Sequence, residues 1–521
     1  MKRLVALLLV LALVLGAVVA SLVIFAGSDD GDAAPEPPKR SARPARAEPA
    51  ADAKTPPDEA LAPFYGQELV WSSCQDDFEC ADLRVPLDYS DPAGDSVDIS
   101  VLKVPAEKPE QRVGSLVVNP GGPGAPGTSY AAAADRVFGQ RLTDNFDIVG
   151  FDPRGTGQSN PVDCLSDGDL DGLLAADPDP DNPTEKTALL SWLDRFFAGC
   201  VERSGSVVGH VTTIEAARDM DVLRAVLGDG QVDYLGASYG TKLGATYADL
   251  FPDRVGHFVL DGAVDLSIDS RQLSLDQAAG FEQALRSYVQ NCIDSTDSCF
   301  LGDTVDEGVT AISDLVAQID AEPLPAGDRE LTVGNAFYGI VAPLYNRDYW
   351  FLLSAALRAA QGGDGAALME LADLYSSRGS DDYADNSSEA IYAINCLDDP
   401  YAIPASEVPG QYAAFEAASP TFGRVFAWGL VTCADIEVTS TEPTRDIRAA
   451  GAAPIVVVGT TRDPATPYKW AEALAAQLES GILVSRDGDG HTGYNVGNTC
   501  VDDAVEGYLV DDVVPGAGLS C

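Results

Sequence analysis

Residues 232–241, VDYLGASYGT, constrain the fold more than any other part of this 521-residue chain. An apolar, strand-like run leads into Gly-Ala-Ser-Tyr-Gly, and a helical pattern carries the chain away. The glycines beside Ser238 let a strand turn sharply into a helix, so that the serine hydroxyl is presented in a strained, exposed position. This context is typical of a nucleophile elbow and less so of an ordinary glycine-rich turn. Ser238 is therefore the predicted nucleophile, if the chain also supplies its partners.

Strand-like and helical segments alternate around the elbow. Residues 212–223 and 468–478 have the period of a helix. The strand-like runs are residues 97–104, 115–119, 146–151, 257–262, 453–464 and 481–485. This alternation predicts an α/β fold, with a mostly parallel sheet flanked by helices and joined by right-handed crossovers.

The long interruption between the two parts of this pattern is mainly helical in character. Residues 274–293, 305–319 and 349–374 each resemble a helix, and strand-like alternation is scarce. We therefore predict an inserted α-helical cap at 266–447, between core parts at 64–265 and 448–521. Caps of this kind cover an active site and shape substrate entry.

The N-terminus predicts export. Lys2 and Arg3 precede an uncharged apolar run over residues 4–26. Residues 1–27 are therefore either an export signal or an uncleaved membrane anchor. The folded part is accordingly predicted to be secreted or to be extracellular and membrane-anchored. Residues 28–63 are rich in Pro, Ala and charged side chains without apolar periodicity, which is typical of a flexible linker.

The ten cysteines fit export, because an even number in an exported chain is typical of disulfides. Nearest-in-sequence pairing is one scheme among many, and a zinc site is the alternative. Metal binding is disfavoured because the chain has no Cys-x-x-Cys pair and only three histidines. That scheme would pair Cys74 with Cys80, Cys164 with Cys200, Cys292 with Cys299, Cys396 with Cys433, and Cys500 with Cys521.

The charge balance limits the partners. Acidic residues outnumber basic ones by 81 to 33, for a formal net charge of -48. Binding to nucleic acid or to an anionic membrane surface through bulk electrostatics is therefore disfavoured, and the only predicted membrane contact is the N-terminal anchor.

Ser238, Asp463 and His491 follow one another in the chain order of an α/β-hydrolase triad. Each residue comes directly after a predicted parallel strand, so all three lie at the carboxyl edge of one sheet. A serine hydroxyl is a weak nucleophile until a histidine removes its proton, and an aspartate orients the histidine and stabilises the imidazolium. The predicted fold is accordingly an α/β-hydrolase fold with an inserted helical cap.

Other histidines and aspartates compete for these roles. His210 precedes a helix and His257 opens a buried strand, so both are better explained by structure. Asp487 and Asp489 compete with Asp463, but they directly precede the histidine and lack the position after a strand. The reserve choices for the acid are Asp261 and Asp265, which follow an earlier strand.

A second glycine-rich loop, PGGPG at 120–124, follows the strand at 115–119. Its backbone N–H groups are unobstructed, as in the oxyanion hole of hydrolases with a serine elbow. The predicted oxyanion donors are the N–H of Tyr239 and that of Gly121 or Gly122. Asp152 and Arg154, in the loop after residues 146–151, are interpreted as loop-fixing residues.

These motifs together resemble the secreted tripeptidyl aminopeptidases of actinobacteria, within the proline-iminopeptidase-like α/β-hydrolases. The matching segments are NPGGPG at 119–124, DPRGTG at 152–157, GASYGT at 236–241, FPDR at 251–254, LDG at 260–262, RDPATP at 462–467 and GHT at 490–492. The resemblance implies cleavage of peptides near a free N-terminus, with acidic cap groups that hold the α-ammonium. Through the cap segment INCLDD at 394–399, it makes Asp398 a candidate substrate-binding residue.

Three functions stay open at this point. The first is an exported serine aminopeptidase that releases short peptides, with tripeptides implied by the resemblance. The second is an exported carboxylesterase or lipase-like hydrolase with the same triad. The third, a non-catalytic binding protein on a hydrolase scaffold, is disfavoured by the intact Ser, Asp and His. No cofactor is predicted, because acyl transfer by a triad requires none.

Overall fold

A computed structural model describes residues 53–75, 78–296, 298–436, 438–440 and 446–521. The predicted export segment and most of the predicted linker lie outside the described residues. Within them, no helix is both long and apolar enough to cross a membrane.

The centre of the molecule is a ten-stranded sheet, and a separate two-stranded hairpin lies in the cap. The strands are β1 (Ser72–Cys74), β2 (Phe78–Pro86), β3 (Ser96–Val104), β4 (Gly114–Asn119), β5 (Phe146–Phe151), β6 (Val232–Ala237), β7 (Val255–Asp261), β8 (Leu324–Ala326), β9 (Arg329–Leu331), β10 (Ile455–Arg462), β11 (Gly481–Asp489) and β12 (Leu519–Ser520).

The strand order in the large sheet is β1-β2-β3-β5-β4-β6-β7-β10-β11-β12. The first three strands are antiparallel, and every pairing from β5 to β12 is parallel. The carboxyl ends of β4, β6, β7, β10 and β11 therefore meet at one edge, which we call the catalytic edge. The predicted α/β class is confirmed.

The α-helices of the described residues pack on both faces of this sheet or form the cap. They are α1 (Ala62–Tyr65), α2 (Gly127–Ala132), α3 (Ala134–Val137), α4 (Gln140–Asn145), α5 (Asp167–Ala175), α6 (Pro183–Ser204), α7 (Thr213–Leu227), α8 (Tyr239–Leu250), α9 (Ser270–Ser295), α10 (Val305–Ala321), α11 (Val333–Val341), α12 (Trp350–Gln361), α13 (Ala366–Tyr375), α14 (Ser387–Asp398), α15 (Tyr412–Ala418), α16 (Gly423–Trp428), α17 (Tyr468–Gln477) and α18 (Thr499–Asp511).

The central strands are buried on both faces because neighbouring side chains alternate between two apolar layers. Val457 packs in the layer beneath α7, α8 and α17, whereas Val456 and Val458 pack in the layer beneath α4 and α18. Helix α7 begins as predicted, because Thr212 and Glu215 form a reciprocal capping box. A fully buried parallel sheet of this kind holds the loops at its carboxyl edge rigidly.

The lid over the catalytic edge is built from two insertions. Helices α9–α16 follow β7 as predicted, but α5 and α6, between β5 and β6, also belong to the lid and were not predicted. Asp171 on α5 accepts two hydrogen bonds from Arg378, at 2.6 and 2.8 Å. Glu389 on α14 accepts the N–H groups of Cys164 and Leu165, at 2.7 and 2.9 Å. These long-range partners leave no local sequence signal.

Two boundaries differ from the prediction. The predicted single helix at 349–374 is two helices, α12 and α13, because the chain breaks at Gly362 and at Gly363, which has φ +88°. Residues 53–63, assigned above to the linker, contact the core through Ala53 and Leu61. Ala53 is buried, and its carbonyl accepts a hydrogen bond of 3.0 Å from Arg224.

All ten cysteines are paired in five disulfides, and each pair is the nearest-in-sequence one. Disulfides of this number are typical of an extracellular protein. Export by residues 1–27, with cleavage or with retention as an anchor, stays a prediction.

Candidate active site

Ser238 lies at the sharp turn between β6 and α8. Its backbone has φ 57° and ψ -126°, a strained conformation for a residue with a Cβ. The neighbouring strand fixes this turn, because the backbone N–H of Ser238 donates to the Asp261 carbonyl at the end of β7, at 2.8 Å. The strain and the exposed edge are those of a nucleophile elbow.

Asp463 and His491 come together at the ends of β10 and β11. The two carboxylate oxygens of Asp463 each lie 2.9 Å from His491 Nδ1. Asp463 is buried, and it also accepts the N–H groups of Ala465, Thr466 and Thr492, at 2.9, 2.8 and 3.1 Å. This arrangement keeps the proton on Nδ1 and leaves Nε2 as the basic nitrogen.

The electrostatics of His491 suit a general base. Burial opposes protonation of the ring, but the charge and hydrogen bond of Asp463 outweigh it and raise the pKa of His491. Nε2 is buried without a hydrogen-bond partner among the described residues. The backbone N–H of His491 donates to the Tyr345 carbonyl at 2.7 Å. This bond fixes the loop that carries His491 against the lid.

Ser238 and His491 are not hydrogen-bonded to each other in the described structure, but both contact one segment. Gly262 directly follows Asp261, which holds the Ser238 N–H. A Cβ added to Gly262 would lie 3.1 Å from Cε1 of His491. Ser238 and His491 therefore both lie beside the end of β7.

The two predicted halves of the oxyanion hole lie against each other. A Cβ added to Gly121 would lie 2.9 Å from the Tyr239 nitrogen and 2.9 Å from Ser238 Cβ. Gly121 itself is a wrong choice of donor, because its N–H already donates to Asn119 Oδ1 at 2.9 Å. The Gly122 N–H donates to no acceptor in the described part of the chain, so Gly122 and Tyr239 are the remaining candidates.

The competing aspartates have other partners. Asp487 and Asp489 each lie 2.7 Å from the guanidinium of Arg462. Asp265 accepts hydrogen bonds from Ser267 and from Gln477. None of these three carboxylates contacts His491 in the described structure.

The other two histidines have structural roles, as predicted. His210 Nδ1 lies 2.9 Å from Glu215, and His257 lies between Asp233 and Asp512 at 2.9 and 3.0 Å.

The loop that follows β5 is fixed by Asp152 and Arg154, also as predicted. Asp152 accepts the N–H groups of Thr128 and Gln158, each at 2.9 Å. Arg154 forms a buried two-pronged pair with Asp219, with both bonds at 2.7 Å.

Asp398 does not fit the role of an ammonium anchor. Its carboxylate pairs with Lys242 at 2.7 Å and accepts both the N–H and the hydroxyl of Thr213. The Thr213 hydroxyl in turn lies 2.6 Å from the Tyr239 hydroxyl. An α-ammonium group would have to displace the Lys242 side chain from a carboxylate that is largely buried. Asp398 is therefore better explained as a residue that joins the lid to the core.

Aromatic side chains of the lid cover His491, which the sequence analysis did not predict. The Tyr345 ring packs edge-on against the imidazole, with 5.5 Å between centroids. Burial raises the pKa of Tyr345 well above its ordinary value, so that its hydroxyl is neutral. The aromatic wall comprises Phe281, Tyr338, Tyr345, Tyr375 and Phe426. These rings come from four helices and a turn, so only lid packing brings them together.

One buried carboxylate of the lid, Glu282 on α9, is incompletely paired. Glu282 is buried, and its Oε2 accepts hydrogen bonds from the Ser419 hydroxyl and the Thr421 N–H, at 2.9 and 3.1 Å. Its Oε1 and the Thr421 hydroxyl have no partner among the described residues. A buried carboxylate oxygen without a donor is costly, so a cation or donor from a ligand would stabilise it.

The chain is similar to known proteins over most of its length. A family model described as TAP-like protein matches residues 419–521. Serine protease Hip1 of Mycobacterium tuberculosis is 36% identical over 482 residues, 88% of this chain and 92% of that protein. Carboxylesterase B of the same species is 36% identical over 485 residues, 88% and 91% of the two chains. Tripeptidyl aminopeptidase of Streptomyces coelicolor is 31% identical over 477 residues, 87% and 86% of the two chains.

These relatives exceed 30% identity over at least 86% of both chains. The sheet order, the elbow after β6 and the aspartate–histidine pair are those of an α/β-hydrolase. The chain therefore belongs to the TAP-like family of α/β-hydrolases and is a serine hydrolase.

Proposed function

We propose that the protein is an extracellular aminopeptidase whose catalytic triad is Ser238, His491 and Asp463. The observation that carries this proposal is the buried Asp463–His491 pair, which leaves a basic Nε2 without a partner at the edge where the elbow lies. Residues of the lid cover His491, because the Tyr345 ring packs against its imidazole.

In this mechanism His491 Nε2 removes the hydroxyl proton of Ser238 as the serine oxygen attacks the carbonyl of the scissile bond. The N–H groups of Tyr239 and Gly122 stabilise the oxyanion. The imidazolium, held by Asp463, then protonates the leaving amine, and an acyl-enzyme remains. Water activated by the same histidine hydrolyses it. Removal of one oxyanion donor typically costs roughly 2.7–4 kcal/mol of barrier.

Recognition of the substrate's free N-terminus is assigned here to Glu282 rather than to Asp398. Glu282 has an unpaired buried oxygen within the lid, whereas Asp398 is neutralised by Lys242. An α-ammonium group supplies the donors and the positive charge that Glu282 lacks. The name of the Streptomyces relative supports release of tripeptides.

The first test compares a tripeptide chromogenic amide that has a free N-terminus with its N-acetylated form. We expect cleavage of the free-amine form alone, with activity lost in Ser238→Ala by at least about 10⁴-fold. Equal cleavage of both forms would show that the free N-terminus is not recognised. Full activity of Ser238→Ala would show that the nucleophile is wrong.

A second test concerns the anchor. We expect Glu282→Gln to raise KM for the free-amine substrate about tenfold or more while kcat changes less, since a charge-assisted bond is lost. The matched control is Glu389→Gln, another buried lid carboxylate, whose Oε1 receives its backbone donors and can do so as an amide. An unchanged KM in Glu282→Gln would contradict the anchor.

The alternative is an extracellular carboxylesterase that uses the same triad. The uncharged aromatic wall beside His491 favours this reading, because apolar surfaces bind acyl or aryl groups. The relative named carboxylesterase B is as similar to this chain as the serine protease. Rapid hydrolysis of short acyl esters without turnover of either amide would establish it.

A further inference from the structure

Asp261 is a buried carboxylate at the end of β7 that the triad does not use. It is 2% exposed, and its two oxygens accept different backbone donors. Oδ1 accepts the Gly493 N–H at 2.8 Å, and Oδ2 accepts the Tyr494 N–H at 2.9 Å. Both donors belong to the loop that carries His491.

The same residue also forms a backbone hydrogen bond with Ser238. The backbone carbonyl of Asp261 accepts the Ser238 N–H at 2.8 Å. The next residue, Gly262, packs against His491, because an added Cβ there would meet Cε1 at 3.1 Å. Asp261 is therefore connected through its main chain to the elbow and through its side chain to the histidine loop.

We propose that Asp261 is a positioning residue that sets the distance between the Ser238 hydroxyl and His491 Nε2. This inference rests on the proposed triad. The role requires an ionised carboxylate, because both oxygens must accept. An asparagine would turn one oxygen position into a donor that faces an N–H group, and protonation would make one oxygen a weaker acceptor that carries a hydrogen without a partner.

The surroundings of Asp261 give this role a dependence on pH. The titratable and charged groups that face it are His491, Asp463, Arg486 and Tyr130. Burial raises the pKa of Asp261 to about 6, against the stabilising effect of the two backbone N–H groups and of His491. Acid therefore removes the ionised form in the pH range in which the catalytic base is also protonated.

The consequence is that acid inactivates the site by protonating both His491 and Asp261. The probe is a fluorophosphonate, which phosphonylates the nucleophile at a rate that does not depend on the identity of the natural substrate. For the intact protein we expect the logarithm of this rate to fall with a slope of about two over roughly the first one to two pH units below 6. A slope of one in the intact protein, together with full reactivity of Asp261→Asn at pH 8, would overturn the inference.

The variant Asp261→Asn should react at pH 8 about ten- to a hundredfold more slowly, because small misplacements at a reacting centre cost rates of this size. Its acid limb should have a slope of about one. The matched control is Asp265→Asn, a buried aspartate four residues further along that does not contact the histidine loop. It should keep the rate and the slope of two.

The outcomes separate the inference from the proposed function. Full reactivity of Ser238→Ala would refute the triad, and the role of Asp261 with it. An unreactive Ser238→Ala together with a slope of two in Asp261→Asn would refute only the role of Asp261. A merely structural role would lower the rate equally at every pH and leave the slope unchanged. Should Asp261→Asn fail to fold, Asp261→Glu replaces it: the longer side chain displaces the carboxylate from the Gly493 and Tyr494 N–H groups, and an unchanged rate at pH 8 would overturn the inference.

Discussion

Asp463 shows at the level of single residues how the site is organised. Besides His491, its carboxylate accepts hydrogen bonds from the N–H groups of Ala465, Thr466 and Thr492 and from the Thr466 hydroxyl. An acceptor held at so many points has one orientation. The His491 imidazole is therefore oriented before substrate arrives. A rigid scaffold lowers the barrier in this way, because the group does not have to lose orientational freedom during the reaction.

We predict that Asp463→Asn lowers kcat about 10⁴-fold while the protein stays folded, because an amide favours the wrong tautomer of His491. The measurement is hydrolysis of the preferred substrate, with circular dichroism to check folding. The control is Asp487→Asn, which removes an exposed carboxylate that pairs only with Arg462 and Thr461. If both variants lost activity alike, the acid would be wrongly assigned.

At the level of elements, the lid contacts the catalytic machinery through helix α9. Gly280 lies against the loop after β10, and a Cβ added there would approach the Pro464 carbonyl oxygen to 2.5 Å and that of Asp463 to 3.2 Å. The approach is too close for any side chain. The helix therefore supports the acid loop directly, and displacement of the lid would displace Asp463.

We predict that Gly280→Ala lowers kcat at least about tenfold and lowers the free energy of unfolding by about 1–3 kcal/mol, as overpacking does. The control is Gly168→Ala in α5, where nothing lies within 4 Å of an added Cβ. That change should be neutral or should stabilise the helix by up to about 1 kcal/mol. Normal activity in Gly280→Ala would show that the acid loop does not depend on α9.

The segment between α5 and α6 brings acidic groups of the lid close together. Oxygens of Asp177, Glu185 and Asp320 lie within 4.8 Å of one another. Burial, and then the neighbouring carboxylates, raise the pKa of Asp177 to about 7. Because the folded-state pKa exceeds the unfolded one, this group favours folding below about pH 4, and that contribution is lost as the pH rises to about 7.

We predict that Asp177→Asn stabilises the protein at pH 7.5 by about 1 kcal/mol, a value reduced for solvent screening of a half-buried group. The amide keeps an oxygen for the Asp179 N–H that Asp177 accepts at 2.8 Å. The gain should shrink as the pH falls and vanish near pH 4. Thermal unfolding of both proteins across this range is the measurement, and a gain that does not depend on pH would contradict the explanation.

At the level of the whole molecule, disulfides join distant parts of a chain with a large excess of negative charge. Cys396 and Cys433 lie 37 residues apart and connect α14 to the end of the lid, whereas Cys74 and Cys80 are six residues apart at the sheet edge. The longer loop restricts the unfolded chain more.

We predict that replacing Cys396 and Cys433 together by serine lowers the free energy of unfolding by about 4 kcal/mol, against about 2 kcal/mol for Cys74 and Cys80. Thermal unfolding of the two double variants under identical conditions measures the difference. Equal losses would show that the stabilisation does not come from the length of the closed loop.

Much of the sheet could be predicted because its signals are local. The strands at 146–151 and 232–237, the capping box at Thr212 and the turn at Ser238 each depend on a few adjacent residues. The break between α12 and α13 was missed, although Gly362 and Gly363 mark it, because apolar periodicity continues across it. The roles of α5 and α6 were missed because their partners are on α11, on α14 and in the turn between α13 and α14.

The sequence alone determined the α/β fold, the elbow and the order Ser238, Asp463, His491. Each depends on backbone conformation or on residues near in sequence, so its signal is carried in a short stretch. Only the tertiary structure decided that Lys242 neutralises Asp398, that Asn119 accepts the Gly121 N–H and that Asp261 contacts both Ser238 and the loop of His491. The physical reason is that a charge or a hydrogen-bonding group has many equivalent partners along the chain, and folding selects among them by distance.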